Sequence, residues 1–474
     1  MGMFLPTLLH QTTPEQAAEW VPKAQSMQMI GTYAQTELGH GTFLRGLETT
    51  ATYDAKAEEF ILNTPTLTSF KWWPGGLAHT ANHCVVVAQL YTKGKCYGVH
   101  PFLVQIRDLE THMPMPGIKI GEIGSKLGYN TVNNGFLGFN KVRIPRTNLL
   151  MKNAQVLKDG TYVKAKSEKL TYGTMVLIRV LIVTDMAYEL ARASTVAVRY
   201  SVVRHQSQPK PGLACGGHGY MKSSSFPFIQ AIVTASVTYE GEYTVMMLQT
   251  ARYLMKTLKQ ALSGKAITST VAYLLDFDKN SNRNWQNTPE GIVIGFQAIA
   301  AGLTKAAYDE IEKHEKTGLD YEDSWNQASV QLVRASEAHC RVIICEKSWL
   351  EAQRLTKSLS PALSKVLLEL VELYIIYWAL EKKGDFLVYT KMQKDDVMQL
   401  QQRYEELLAV IRPNAVGLVD GFDIRDEILN STLGAYDGRV YERLMEEALK
   451  SPLNAEPVNR SFHQYLKPFM TAKL

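Results

Sequence analysis

The sequence predicts an α+β protein: a β-rich region, residues 30–150, then two helical regions, 151–275 and 276–474, after a short leading segment, 1–29. Three observations carry this reading. From about Ile30 to Leu150, short β-favouring runs alternate with Gly, Pro, Asn and Asp clusters at close spacing. From Thr174 onward the apolar residues recur at i, i+3 and i+4, the period of a helix. The chain is 474 residues long, 46% hydrophobic and 20% charged, which is ordinary for a globular chain of roughly three domains.

The elements follow in order. The runs 60–62, 84–90 and 102–106 suit an antiparallel barrel or sandwich. Arg143-Ile-Pro-Arg146 closes that region, with Pro145 as the breaker. Met175, Ile178, Ile182, Met186 and Leu190 form one face of a helix that extends to about Arg204. Gln208-Pro-Lys-Pro-Gly212 and Gly216-Gly-His-Gly-Tyr220 interrupt it. A second helix begins near Thr244, with Val245, Leu248, Ala251, Met255 and Leu258 on one side. After an Asn-rich loop, 278–287, come helices over 291–313, 322–355, 363–381 and 394–411. No segment repeats at a fixed period.

Composition excludes several classes of function. The net charge is +5 and no Lys/Arg block is dense enough to track a phosphate backbone, so no nucleic-acid partner is expected. The five cysteines (84, 96, 215, 340 and 345) are odd in number and contain no CxxC, which disfavours a disulfide framework and a cysteine zinc site. No metal is expected. The start of the chain lacks the basic region and cleavage site of a secretory signal. The most apolar stretches, 175–183 and 366–380, are interrupted by Arg179 and by Glu369 and Glu372, so no membrane span is expected. Walker A, GxGxxG, HExxH and GxSxG motifs are absent.

Three local features stand out. Tyr33-Ala-Gln-Thr-Glu-Leu-Gly-His-Gly-Thr42 and Lys71-Trp-Trp-Pro-Gly-Gly76 combine flat aromatic area with a turn whose backbone N–H groups are open. A planar ring system could stack there; equally, the tryptophans could fill a barrel corner. Thr238-Tyr-Glu-Gly-Glu242 directly precedes a helix. Its acids either complement the helix dipole or include a carboxylate base whose pKa is raised in an apolar pocket. The last three residues, Ala472, Lys473 and Leu474, fit the small–basic–Leu pattern of a peroxisomal address.

Together these segments resemble the peroxisomal acyl-CoA oxidases, most closely the straight-chain, type 1 branch. The stretches that match are Gly2-Met-Phe-Leu-Pro-Thr-Leu-Leu-His-Gln11, Gly31-Thr-Tyr-Ala-Gln-Thr-Glu37, Gly46-Leu-Glu-Thr-Thr-Ala-Thr-Tyr-Asp54, Lys71-Trp-Trp-Pro-Gly-Gly76, Ala214-Cys-Gly-Gly-His-Gly-Tyr220, Thr238-Tyr-Glu-Gly-Glu242, Leu332-Val-Arg-Ala-Ser-Glu-Ala-His-Cys340 and Ser451-Pro-Leu-Asn454. They cover nearly the whole chain in family order. The resemblance implies an acyl-CoA dehydrogenase/oxidase-like fold, with FAD facing the β domain. It implies oxidation of an acyl-CoA to the trans-2-enoyl-CoA, the electrons passing to O2 to give H2O2. It assigns the catalytic base to Glu240, which takes the α-proton while flavin N5 takes the β-hydride. FAD contacts fall on Thr36 and Gly75, and, at the pyrophosphate and adenosine end, on Arg204, Gly216 and Gly217. It further implies a homodimer and, through residues 472–474, an import receptor and a peroxisomal location.

The sequence also departs from the family pattern. The leading segment, 1–29, corresponds to the end of an N-terminal helical domain of roughly a hundred residues. The family has a long helical segment where only residues 207–213 stand here, leaving the 151–275 bundle incomplete. Tyr243 replaces the family's Asn, and Ala78-His79 follows the Pro-Gly-Gly turn. Three functions therefore compete: an active oxidase, a catalytically inactive truncated isoform that binds a full-length oxidase or the import receptor, and a dehydrogenase that passes electrons to another flavoprotein. The C-terminal tripeptide and the long second helical region count against the last.

Overall fold

The computed structural model describes residues 2–164, 173–204 and 215–471, which form two compact units. The first contains residues 1–190 and 226–240; the second contains 191–225 and 241–474.

The first unit opens with two helices, α1 (Phe4–Gln11) and α2 (Pro14–Gln25). Thr13 and Gln16 form a reciprocal capping box that starts α2, with Pro14 at the first helical position. Strands β1 (Gly31–Ala34), β2 (Thr50–Asp54), β3 (Glu59–Asn63), β4 (Lys71–Trp72), β5 (His83–Thr92), β6 (Lys95–Gln105), β7 (Ile118–Glu122), β8 (Gly135–Phe139) and β9 (Val142–Pro145) follow. Six of them form a sheet in the order β1-β5-β2-β3-β9, with β6 on the other edge of β5. A second sheet runs β4-β8-β7. Two short strands, β10 (Gln155–Val156) and β11 (Tyr162–Val163), carry β structure past residue 150.

The sheet is not purely antiparallel. β1 and β2 both run parallel to β5, along successive halves of its length. β5, ten residues long, has the length to hold both, and its unbroken apolar run Cys84-Val-Val-Val-Ala88 is buried on both faces. Cys84, Val86, Ala88 and Leu90 pack with Phe60, Leu62, Phe102 and Val104. Val85 points the other way, into a small core with Phe4, Leu8 and Trp20 of the first two helices. A strand covered on both faces needs no polar alternation.

Helix α3 (Gly173–Val203) matches the expected span, and α4 (Gly216–Gly219) is a single turn. α5 (Phe226–Ser236) has no counterpart in the sequence reading. α6 (Tyr243–Leu262), α7 (Phe277–Ser281), α8 (Pro289–Lys316), α9 (Tyr321–Gln327), α10 (Ser329–Thr356), α11 (Pro361–Glu381), α12 (Lys383–Tyr389) and α13 (Lys394–Ile411) complete the long elements. The helix expected over 322–355 is two, broken at the fully buried Ala328. Thr288 and Ser360 cap α8 and α11, each with Pro at the next position. The second unit's core gathers Ile292, Phe296 and Ile299 of α8, Leu332 and Val342 of α10, and Ile375 and Ile376 of α11. Helix α8 is long and apolar enough to cross a membrane, which the sequence reading overlooked. Its apolar stretch is 67% buried, so among the described residues it is the central helix of a protein core.

Two glycines let α8 accept aromatic rings. A Cβ on Gly302 would lie 2.5 Å from the Tyr389 ring and 2.9 Å from Phe277. Helix propensity alone favours alanine by about 1 kcal/mol, whereas overpacking a core typically costs about 1–3 kcal/mol. Gly302→Ala is therefore expected to destabilise the helical core by up to about 2 kcal/mol in urea unfolding. Unchanged or raised stability would mean that Tyr389 moves aside freely.

Candidate active site

The first functional segment of the β unit is set by a buried ion pair. Lys71, the first residue of β4, places its ammonium 3.0 Å from Glu37 Oε1 and 3.1 Å from the Gln35 carbonyl. Neither side chain of the pair is exposed to solvent. Glu37 also accepts from the backbone N–H groups of Glu48, at 2.8 Å, and Thr49, at 2.9 Å. Burial alone would raise the Glu37 carboxyl, but the Lys71 charge and these hydrogen bonds outweigh it and hold it below the ordinary carboxylate range. Burial pulls the Lys71 ammonium down to about 8 despite its partner. Glu37, His40 and Glu48 approach one another as cation ligands could. The Lys71 ammonium already provides the positive charge there, so the cluster is an ion-pair network.

This pair holds residues 35–37 against β4, and the Trp72 N–H donates to the Thr36 carbonyl at 2.9 Å. Thr36 is half-buried, and among the described residues its hydroxyl has no protein partner. Trp72 stacks on Phe136 at 5.9 Å, so this tryptophan fills the corner. Trp73 is 53% exposed and adopts a left-handed backbone at φ 86°. The turn then exposes Gly75, whose carbonyl accepts from the Thr32 hydroxyl at 2.9 Å. A Cβ on Gly75 would press on Val132 at 3.0 Å, and Gly76 takes φ 71°. Thr36 and Gly75 thus lie on neighbouring backbone segments. Ala78 is buried beneath the turn and its carbonyl accepts from Arg107, while His79 is exposed.

The second segment follows α5. Its last turn loosens as Thr238 and Tyr239 both donate to the Ala235 carbonyl. Glu240 then adopts φ 60°, a left-handed conformation that costs a non-glycine residue about 1–2 kcal/mol. The Arg179 Nε of α3 donates to the Glu240 carbonyl at 2.8 Å. A hydrogen bond from a charged donor contributes about 1.5–3 kcal/mol, enough to offset that strain. Among the described residues, Glu240 Oε2 is buried with no hydrogen-bond partner. Burial pushes this carboxyl above the ordinary range, and the Arg179 charge offsets part of the rise. Glu242 behaves oppositely. It caps α6, accepting from Thr244 N at 2.9 Å and Val245 N at 3.2 Å, and those bonds hold its carboxyl low. Of the two acids, Glu242 serves the helix terminus, and Glu240 is the one whose carboxyl is raised by burial.

Arg179, which the sequence gives no role in the site, is the charged group that the structure brings to Glu240. Its only signal in the sequence was a single charge inside an otherwise apolar helical run. On the other side of Glu240, Tyr239 shares a hydrogen bond with Ser236 at 2.6 Å and another with Tyr129. Tyr243 is the first residue of α6, and Glu337, Cys340, Arg341 and Lys382 surround its hydroxyl.

The second unit holds the remaining candidates. Arg204 bonds the Tyr200 hydroxyl at 2.9 Å, and the Tyr200 ring meets His218 edge-on at 6.5 Å. Tyr200 therefore brings Arg204 to the Gly216–Gly217 turn. Gly216 takes φ 56°, and a Cβ on either glycine would meet open space. Ala472, Lys473 and Leu474 lie outside the described residues.

Comparison with known proteins decides the family. Family models described as acyl-coenzyme A oxidase N-terminal, acyl-CoA oxidase C-alpha1 domain and acyl-CoA oxidase match residues 1–30, 172–213 with 210–255, and 288–471. The acyl-coenzyme A oxidase 1 of Drosophila melanogaster is 46% identical over 100% of this chain and 82% of its own length. The human peroxisomal acyl-coenzyme A oxidase 1 is 43% identical over 97% of this chain and 83% of its own. The chain belongs to the acyl-CoA oxidase family. The solved acyl-CoA oxidase 1 of Arabidopsis thaliana superimposes with a TM-score of 0.93 at 35% identity, covering 100% of this chain and 84% of that one. A Caenorhabditis elegans acyl-CoA oxidase-2, solved with FAD, ascaroside-CoA and ATP, scores 0.93 at 35% identity over 99% and 83%. The acyl-CoA oxidase family is one of oxidoreductases, and the curated mammalian relatives are named as peroxisomal.

The family alignment also bears on the expected internal gap. The Drosophila alignment runs over 551 positions against 474 residues here, a difference of 77. The C-alpha1 match falls into two pieces that meet at residues 210–213.

Two expectations follow from the charge arrangement. Lys71→Met leaves Glu37 buried without its partner and should cost about 3–5 kcal/mol in chemical unfolding. Adding Glu37→Gln should recover part of that loss; a double variant no better than the single one would mean that Lys71 acts through packing. Glu240→Gln should raise the melting temperature at pH 7–8, because the raised carboxyl pKa makes ionisation costly to the fold. That gain should shrink to nothing as the pH falls below the unfolded carboxylate value, where both states carry a neutral group.

Proposed function

We propose that this chain is an FAD-dependent oxidase that converts an acyl-CoA and O2 to the trans-2-enoyl-CoA and H2O2, with Glu240 as the base. The observation that carries the reading is the Glu240 carboxyl, desolvated and with one oxygen left unpartnered in the fold. The Cα–H of a thioester is weakly acidic, and a base with a raised pKa near the working pH is matched to remove it. Glu242 supports this by serving as the helix cap, which leaves Glu240 free of that task. The positive-φ turn at Glu240 fixes where its carboxylate points, so the α-proton is taken at one position.

The residues present fit a flavin. Thr36 offers a hydroxyl without a protein partner, the Gly75 turn exposes backbone, and Trp73 offers an uncovered ring face. In this reading Thr36 and Gly75 hold the flavin end, and Arg204, Gly216 and Gly217 meet the pyrophosphate and adenosine end. FAD, when bound, supplies the two-electron acceptor and the route to O2. The chain would act in the peroxisome as a homodimer, carried in by an import receptor through residues 472–474.

A second reading is favoured by one group of observations: a catalytically inactive isoform that serves as a partner of full-length oxidase. The C-alpha1 match is split, and Val176, Val180 and Val183 of the adjoining α3 are 56%, 60% and 70% exposed. One preparation separates the two. The purified chain should show a flavin absorption band at one per subunit and release H2O2 with palmitoyl-CoA. Glu240→Gln should keep the band and lose turnover by at least about a hundredfold. Turnover that survives the substitution sinks the base assignment; a protein that stays colourless with added FAD moves the partner reading to the front.

A further inference from the structure

We propose that Arg179 is a positioning residue for the base, holding the Glu240 turn through its main chain and keeping the carboxylate ionised through its charge. This rests on the reading of Glu240 as the base. The geometry is specific. Among the described residues Arg179 makes no ion pair with the carboxylate; its Nε donates to the Glu240 carbonyl at 2.8 Å. A guanidinium spent on the carboxylate would neutralise the base and block access to it. Bonded to the carbonyl, it fixes the peptide between Glu240 and Gly241, whose φ values of 60° and 119° are both in the left-handed half of backbone space. The carboxylate is left with an unpartnered oxygen.

The placement of Arg179 explains an otherwise costly choice. It lies in the run Val176-Leu-Ile-Arg-Val-Leu-Ile-Val183, where every neighbour is apolar. A charge there needs a partner, and the described partner is a backbone carbonyl two residues from a capping acid. The groups that face Glu240 are few. Arg179 comes from α3; Tyr239 and Glu242 belong to its own loop; and Glu242 is turned onto the α6 backbone. The acid limb of the reaction should therefore answer to Arg179.

The test uses the flavin-loaded enzyme with Arg179→Gln, Arg179→Lys and Glu240→Gln. Arg179→Gln keeps a donor and loses the charge. Its kcat should fall about tenfold at pH 7 with KM for palmitoyl-CoA within about threefold, and the acid limb of kcat should move up by about one pH unit. Arg179→Lys keeps the charge, so its acid limb should overlay the native one and its kcat should stay within about threefold. A readout without substrate accompanies these: at pH 8 the melting-temperature loss from Arg179→Gln should be smaller in a Glu240→Gln background, because the charge there has no carboxylate to offset. Superimposed acid limbs for all three proteins, or a Lys variant displaced as far as the Gln variant, would overturn the proposal. If Arg179→Gln does not fold, the Lys variant decides alone: more than a tenfold loss of kcat with flavin retained overturns it. Should Glu240→Gln itself remain active, the base reading fails, a different result from an unaffected acid limb with Glu240 still essential.

Discussion

The β unit depends on one buried ion pair. Lys71 and Glu37 are both shut off from solvent, which by itself costs several kcal/mol per ion. The pair survives because each charge is held by more than one partner. Lys71 has a carboxylate and a carbonyl; Glu37 has an ammonium and two backbone N–H groups. That completeness gives it geometric force. Two loops that would otherwise be free, 35–37 and 71–76, are held in one register, with Thr36 on one and Gly75 on the other. An apolar pair of similar volume would pack as tightly but would not specify which backbone carbonyl meets which side chain.

Glu240 shows the opposite economy. Glu37 is surrounded by donors and kept acidic, whereas Glu240 is buried with an unmade bond and a raised pKa. The left-handed backbone adds to the strain. Three unfavourable features at one residue, where Glu37 and Glu242 are both well supplied with donors, are the pattern of a group kept ready for chemistry. The neighbouring Glu242 makes the contrast sharp, since two residues of displacement turn the same side chain into an ordinary helix cap.

Much of this was legible beforehand, and the rest was hidden for physical reasons. Thr288-Pro and Ser360-Pro announce helix starts because the cap oxygen and the missing proline N–H solve the same end problem. α5 was missed because Phe226–Ser236 is apolar on most sides, so no 3.6-residue face emerges. The parallel pairings of β5 were missed because they join strands far apart in sequence, which no local pattern encodes. In the candidate site, Thr36, Gly75 and Glu240 are assigned through motif resemblance. The division of labour between Glu240 and Glu242 was not, because it depends on which of them precedes the first helical N–H groups. Arg179 was read as a mere interruption of an apolar helix, although a lone charge in such a run is itself a sign of a partner elsewhere.

Helix α3 carries the argument about the internal gap. Its C-terminal half is well anchored: Val196 and Tyr200 are fully buried, and Arg199 bonds Asp420, Asp426 and the Gly434 carbonyl. Its N-terminal half has the same apolar character but presents three valines to solvent. A helix that is apolar on nearly every side belongs inside a bundle, so this half has the composition of a covered helix without the cover. The C-alpha1 match falls into two pieces that meet just beyond the end of α3, and the alignment with the Drosophila relative runs 77 positions longer than this chain. Arg179 sits in that same half. Whatever covers or fails to cover the valines therefore also sets how firmly the guanidinium is held, and with it the carbonyl of Glu240. The completeness of the bundle and the ionisation of the proposed base become one problem, because a helix free to shift would release the turn before it exposed the Glu240 carboxylate itself.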